Sequence, residues 1–204
     1  MKTKTLIGIV ATVVLAMVGI AILWCSAEEA TPPQHVETSA TASGPVRQGY
    51  ARALMRRGMH CDRTHRYAEA AQWYRMAAQQ GLAEAQNNLG VMLKDGQGVQ
   101  KDLVEAAHWF LLAAQQGNVL AQSNLGWLYQ SGSGVEQDYA EARRWYLAAA
   151  CQGHAAAQNN LGTMYRDGQG VEQNLDSARY WLTEAAAQGM KLAQRNLDKL
   201  NALP

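Results

Sequence analysis

The chain has 204 residues, a net charge of +1 and 48% hydrophobic residues. That is enough to bury a sizeable core, without the basic excess that a nucleic-acid binder relies on. Six Trp and eight Tyr stand against one Phe, and four of the Trp fall in one repeated column, so repetition explains them without a ligand.

Lys2 and Lys4 precede an uncharged, apolar or small run from Leu6 to Trp24. As a helix, its length of about 19 residues approaches the ~30 Å of a hydrocarbon core. Two readings stand for residues 1–27. One is a signal peptide cut among Cys25, Ser26 and Ala27; the other is an uncleaved transmembrane anchor with Trp24 at the interface. The run exceeds the roughly 7 to 15 apolar residues of a signal peptide, which favours the anchor. Both readings keep the two lysines in the cytoplasm and export the remainder. Lipidation of Cys25 is disfavoured because Trp24 stands where a lipoprotein signal needs a small residue. Residues 28–46 are Ala, Thr, Ser, Pro and Glu with almost nothing large and apolar. They read as a disordered linker, since so little burial cannot offset chain entropy.

From Tyr50 onward the chain repeats. Ala85 to Gly117 recurs at Ala121 to Gly153 and Ala157 to Gly189, so one column holds Leu89, Leu125, Leu161 and Leu197, and another Trp73, Trp109, Trp145 and Trp181. A fixed period in this range marks a solenoid whose units are stable only as a stack. The units are 83–118, 119–154 and 155–190, with a degenerate unit at 47–82 and a capping helix at 191–204. Each reads as two helices. The first carries Ala85, Leu89 and Leu93 at helical spacing and ends at Gly96 and Gly98, glycines suited to a tight reversal. Asp102 then caps the second helix with Glu105 three residues on, a capping box that Asp138 and Glu141 repeat. Asn174 keeps the cap with Ser177 in place of the Glu.

The pairs Leu89-Gly90, Leu125-Gly126 and Leu161-Gly162, the loops Gly96-x-Gly98, Gly132-x-Gly134 and Gly168-x-Gly170, and Trp109, Trp145 and Trp181 together resemble the Sel1-like repeat, a relative of the tetratricopeptide repeat. The resemblance implies an all-α, right-handed solenoid of helix-turn-helix repeats. It further implies a protein-interaction scaffold of the bacterial cell envelope, at the periplasmic face of the inner membrane or, if cleaved, soluble in the periplasm or secreted. The departures are an opening unit with only its second half intact and a last helix with Asp198 where the others have Gly.

Nothing in the array reads as catalytic. The Gly-x-Gly loops lack the Lys and the preceding strand of a phosphate-binding loop. His60, Cys61, Asp62 and His65 correspond to the inter-helix loop of the first unit and read as a satisfied loop, not a metal site, because a zinc site needs four ligands in suitable geometry. Cys61 and Cys151 lie two and a half units apart, too far to bridge. Cysteine-rich members of the resembled family, some described as β-lactamase-like, pair cysteines within each repeat. This chain does not, and it has no Ser-x-x-Lys motif. The reading is therefore a non-enzymatic scaffold with no cofactor and no metal. A glycan- or peptidoglycan-binding protein or a β-lactamase-like hydrolase is the alternative. Arg47, Arg52, Arg56, Arg57, Arg63 and Arg66 read as a solvated capping helix or, more sharply, as a surface for anionic lipid or an acidic polymer.

By analogy with the tetratricopeptide arrangement, the partner-binding positions fall two before, two after and five after the Leu of each first helix. They are Asn87, Val91 and Lys94; Ser123, Trp127 and Gln130; Asn159, Thr163 and Arg166; and Arg195 and Lys199. Trp127 is the expected anchor, since Trp and Arg dominate interface hot spots. Asn87 and Asn159 are expected to pair with peptide backbone, and Lys94, Arg166 and Arg195 to select an acidic segment.

Overall fold

A computed structural model describes residues 44–202, which form nine helices and no strand among them. They are α1 (Gly44–Arg63), α2 (Tyr67–Gln79), α3 (Ala83–Asp95), α4 (Leu103–Gln115), α5 (Val119–Ser131), α6 (Tyr139–Cys151), α7 (Ala155–Asp167), α8 (Leu175–Ala187) and α9 (Lys191–Asn201). Each helix packs on its neighbours in sequence, giving the expected all-α solenoid. The apolar run and most of the linker lie outside the described residues. Among the described residues no helix is long and apolar enough to cross a membrane.

The helices α2 to α8 are all 13 residues long, and their C-terminal ends are fixed by glycines that recur in every unit. Second helices end in a glycine at positive φ, Gly81, Gly117, Gly153 or Gly189. In the fourth helix Gly117 N–H donates to Ala114 and Asn118 N–H to Ala113, the pair of bonds that caps orphan carbonyls in a Schellman motif. First helices end in left-handed Gly96, Gly132 and Gly168.

The second glycine of each loop has a further role. A Cβ on Gly134 would lie 2.3 Å from the Leu103 carbonyl oxygen, and one on Gly170 would lie 2.4 Å from the Tyr139 carbonyl carbon. Each loop therefore rests on the start of the preceding unit's second helix, and only glycine fits both the conformation and the space.

The first helices use a glycine differently. Gly90, Gly126 and Gly162 seat Phe110, Tyr146 and Leu182 of the same unit, with the ring or branch within 2.8 Å of where a Cβ would be. Gly58 does the same for Tyr74. The opening unit is thus a full helix pair, although only its second half carries the repeat pattern. What it lacks is the Gly-x-Gly loop, replaced by a turn at Thr64–Arg66 in which His65 takes φ 60. Residues 44–46, assigned above to the linker, form the first turn of α1. His60, Cys61 and Asp62 lie in that helix and not in a loop. Cys61 is buried and Cys151 exposed, and both are free.

The ends depart from the repeat for a physical reason. Arg57 and His60, both exposed, stand on α1 where Leu89 and Met92 stand on α3, and no second helix precedes α1 among the described residues. On α9 the exposed Gln194, Asp198 and Asn201 stand where Gln86, Gly90 and Leu93 face a second helix. Among the described residues no second helix follows α9 to seat a side chain on Asp198, where the other first helices have glycine.

Capping is half as expected. Asp102 accepts from Glu105 N–H at 2.8 Å, Asp138 from Ala140 and Glu141, and Asn174 from Ser177. The reciprocal half of the box is absent. Asp102 N–H donates to Leu93, Asp138 N–H to Tyr129 and Asn174 N–H to Tyr165, so these donors close the loop onto the first helix. Glu105 instead accepts from the Trp109 indole at 3.1 Å and pairs with Arg75 of the preceding unit at 2.8 Å.

A buried glutamine column ties the units together. Gln86, Gln122 and Gln158 donate to Ala78, Ala114 and Ala150, carbonyls near the end of the preceding second helix. Each accepts from Gln116, Gln152 or Gln188 of its own unit at 2.7–2.8 Å. Gln122→Leu keeps the volume but leaves the Ala114 carbonyl without its side-chain donor. We expect it to lower stability by about 1–3 kcal/mol, read as a lower urea midpoint with an unchanged slope.

His154 caps α7, accepting from Ala157 N–H through Nδ1 at 3.3 Å. Burial pushes its pKa below the ordinary histidine value. The neutral ring accepts and the protonated ring cannot, so this cap is present at neutral pH and is lost as pH falls through the depressed folded value. Thermal midpoints of wild type and His154→Asn should diverge in favour of the variant as pH drops below about 6.5, by the 0.5–2 kcal/mol or so that a cap contributes.

Candidate protein-interaction face

The first helices α3, α5, α7 and α9 lie side by side. Asn124 on α5 donates to Asn87 on α3 at 3.2 Å, and Asn196 on α9 to Asn159 on α7 at 2.8 Å. The Lys94 ammonium lies 5.9 Å from the Trp127 ring centroid, and Gln130 reaches Gln169 at 3.4 Å. Together these helices form one continuous face.

The expected site residues divide on it. Trp127 is 44% exposed. Val91, Ser123, Gln130 and Thr163 are half-buried beside it, and Arg195 and Lys199 are exposed. Asn87 and Asn159 are corrected: they are 4% and 3% exposed. Each donates to its sequence neighbour, Asn88 or Asn160, and accepts from the next unit. Their amides are committed to the array and are not free for a peptide backbone. An offset of two from the Leu faces inward, and the outward asparagines are one residue on, at Asn88, Asn124, Asn160 and Asn196, all half-buried.

Sequence reasoning did not consider that column, although its constancy from unit to unit on one side of the helix was a signal. It also passed over Leu120 and Leu192, exposed at 53% and 48%. Leu120 is seven residues before Trp127 and so shares its side of α5.

The asparagine chain runs across α3 and α5 and again across α7 and α9. Between α5 and α7 it is interrupted, because Ser123 stands where Asn87 and Asn159 stand. The interruption falls one helical turn from Trp127. Below it, Tyr146 donates to Gln130 at 2.9 Å, and burial holds its hydroxyl well above the ordinary tyrosine range. It is a fixed neutral donor, not an acid or base.

Charge on the face is also partly used. Arg166 binds Asp167 through two nitrogens at 2.7 and 2.8 Å, and its hydrogen bond holds the Asp167 carboxyl below the ordinary value. Lys94 lies 3.6 Å from Asp95. Both cations of the expected acid-selecting set are thus paired with an adjacent carboxylate, for which an acidic partner segment would compete. On α9, Lys191, Arg195 and Lys199 recur every four residues, all exposed and outside the ion pairs of the described residues.

The columns assigned to scaffold behave as such. Leu89, Leu125 and Leu161 are at most 1% exposed. Trp73 and Trp145 are buried, and Trp109 and Trp181 half-buried, between successive units.

The Sel1 repeat family matches residues 67–82, 83–118, 119–154 and 155–190. The fold is similar to the crystal structure of c5321, a protective antigen present in uropathogenic Escherichia coli strains displaying an SLR fold. The TM-score is 0.71 and the identity 41%, over 75% of this chain and 34% of that one. It is also similar to a Sel1 repeat protein from Oxalobacter formigenes, at TM-score 0.66 and 33% identity over 71% of this chain and 57% of that one. This chain therefore spans about a third of the first and just over half of the second. Comparison with curated proteins gave no match. The matched repeats cover more than half of the sequence and coincide with the helix pairs described above, so the chain belongs to the Sel1 repeat family, whose repeats are of the protein-interaction scaffold type.

Proposed function

We propose that the face of the first helices holds an extended segment of a partner protein, with Trp127 as its anchor, on the exported side of a membrane to which residues 1–27 tether the chain. The observation that carries this reading is Trp127 itself. It is a large aromatic outside the structural Trp column, 44% exposed at the middle of the array, where a monomer gains little from it. Leu120 extends the apolar spot along α5. The asparagines Asn88, Asn124 and Asn160 offer donors and acceptors beside it, most openly at the Ser123 interruption. Lys191, Arg195 and Lys199 favour acidic residues in the part of the segment that lies over α9. No chemical step is involved. Affinity comes from several modest contacts along a surface already rigid in the free protein.

The test is capture of partners from envelope extracts by the full chain, wild type against Trp127→Ala. Loss of a specific protein in the variant is the expected result, and identical partner sets would remove the assigned face.

A further inference from the structure

The helix α1 carries a basic stripe that capping does not explain. Two of its arginines serve the array: Arg57 lies 5.0 Å from the Trp73 ring centroid, and Arg47 donates to Gln80 at 3.2 Å. Arg52, Arg56 and Arg63 do neither. With Met59 they recur at i, i+4, i+7 and i+11, one side of a helix, and all four are exposed. The opposite side, Ala51, Leu54, Gly58 and Cys61, is buried. None of the ion pairs among the described residues involves the three arginines. Asp62, the only acidic residue of α1, is half-buried. The stripe is about 16 Å long and has one sign of charge, with a 45% exposed methionine in its middle.

We propose that this stripe is a docking surface for an anionic lipid bilayer, with the three guanidinium groups on headgroup phosphates and Met59 entering the acyl boundary. Charge complementarity selects an anionic surface, because arginine forms paired hydrogen bonds with phosphate. Met59 selects lipid over a soluble polyanion, which offers nothing apolar to receive an exposed thioether side chain, whereas an interfacial helix presents both. Chain length agrees. About twenty residues separate Trp24 from Gly44, and a chain of that length reaches at most about 70 Å. If Leu6 to Trp24 sits in a bilayer, α1 is within reach of its surface.

Met59 is the exposed methionine among the described residues, so its oxidation by peroxide reports on this side of α1, with half-buried Met76 and Met190 as internal controls. The full chain is reconstituted into vesicles of phosphatidylcholine alone or of phosphatidylcholine with phosphatidylglycerol, and sulfoxide is quantified by peptide mass spectrometry. The expected result is several-fold slower oxidation of Met59 in the anionic vesicles only. The protection should weaken as salt is raised and be abolished in the Arg52→Gln/Arg56→Gln/Arg63→Gln variant. The variant's thermal midpoint, measured in parallel, is expected to match wild type because the three side chains are solvent-exposed. Arg56→Gln alone, expected to lose part of the protection, serves if the triple variant melts early. Equal oxidation in both vesicle types would overturn the proposal, as would protection that survives the substitutions. Protection of Met59 in phosphatidylcholine vesicles by added soluble poly-glutamate would also overturn it, assigning the stripe to an acidic polymer.

Discussion

Gly134→Ala should cost the array about 3 kcal/mol or more, whereas Gly153→Ala, at the end of the same unit, should cost about 1 kcal/mol. Both residues have positive φ, 75 and 83, so both substitutions incur the left-handed penalty of a non-glycine residue. They differ in what the new methyl meets. At Gly153 nothing lies within 4 Å, while at Gly134 the Leu103 carbonyl oxygen lies at 2.3 Å. That atom is backbone in the first turn of α4 and cannot rotate away, so the loop must lift from the preceding unit, at an overpacking cost of about 1–3 kcal/mol. Because the contact is between units, Gly134→Ala should also broaden the transition as α1–α4 and α5–α9 begin to melt separately. Equal losses at the two positions, measured by urea denaturation, would show that conformation alone requires the glycines.

Trp127→Ala should weaken partner binding by about 2 kcal/mol or more, a loss of roughly thirtyfold, while changing stability by no more than about 1 kcal/mol. The second figure follows from exposure. Truncation removes a partly solvated ring and a Lys94 contact at 5.9 Å, and a cation–π pair at such a site contributes about 0.5–1 kcal/mol. Tyr180→Ala is the matched control, since Tyr180 is 57% exposed on a second helix, outside the face. It should leave binding unchanged. A large loss of stability in Trp127→Ala would mean that the ring packs between α3 and α5 as scaffold.

The fold was legible because repetition makes the same physical requirement visible three times. Leu89, Gly98 and Trp109 each recur at one offset, and the structure gives each a single task. Missed features came from interactions that a column of identical residues does not announce. The glutamines at 86, 122 and 158 look like surface residues in isolation, and only packing shows that their amides join two neighbouring second helices. The opening helix does not show the repeat pattern because its Gly58 precedes Tyr74 by 16 residues, against 20 between Gly90 and Phe110. A shortened loop shifts a helix out of register with the period without removing it.

The candidate face was legible only in part, since the borrowed offset of two before the Leu points into the array at Asn87, while the outward residue, Asn88, is one before it. One residue is 100° of helix, enough to exchange a surface position for a buried one. Trp127 survived because an offset of two on the other side of the Leu points outward. Lys94 and Arg166 are each followed by a carboxylate, Asp95 and Asp167, with which they pair.

The central claim, that a protein partner lies on the face of the first helices, is tested most directly by placing a photo-crosslinking amino acid at position 127 in the full chain and irradiating intact cells. A control places it at exposed position 108, on second helix α4. The predicted result is a discrete protein adduct from position 127, absent from position 108 and diminished by Leu120→Ala. No adduct from position 127, or the same adduct from both positions, would contradict it.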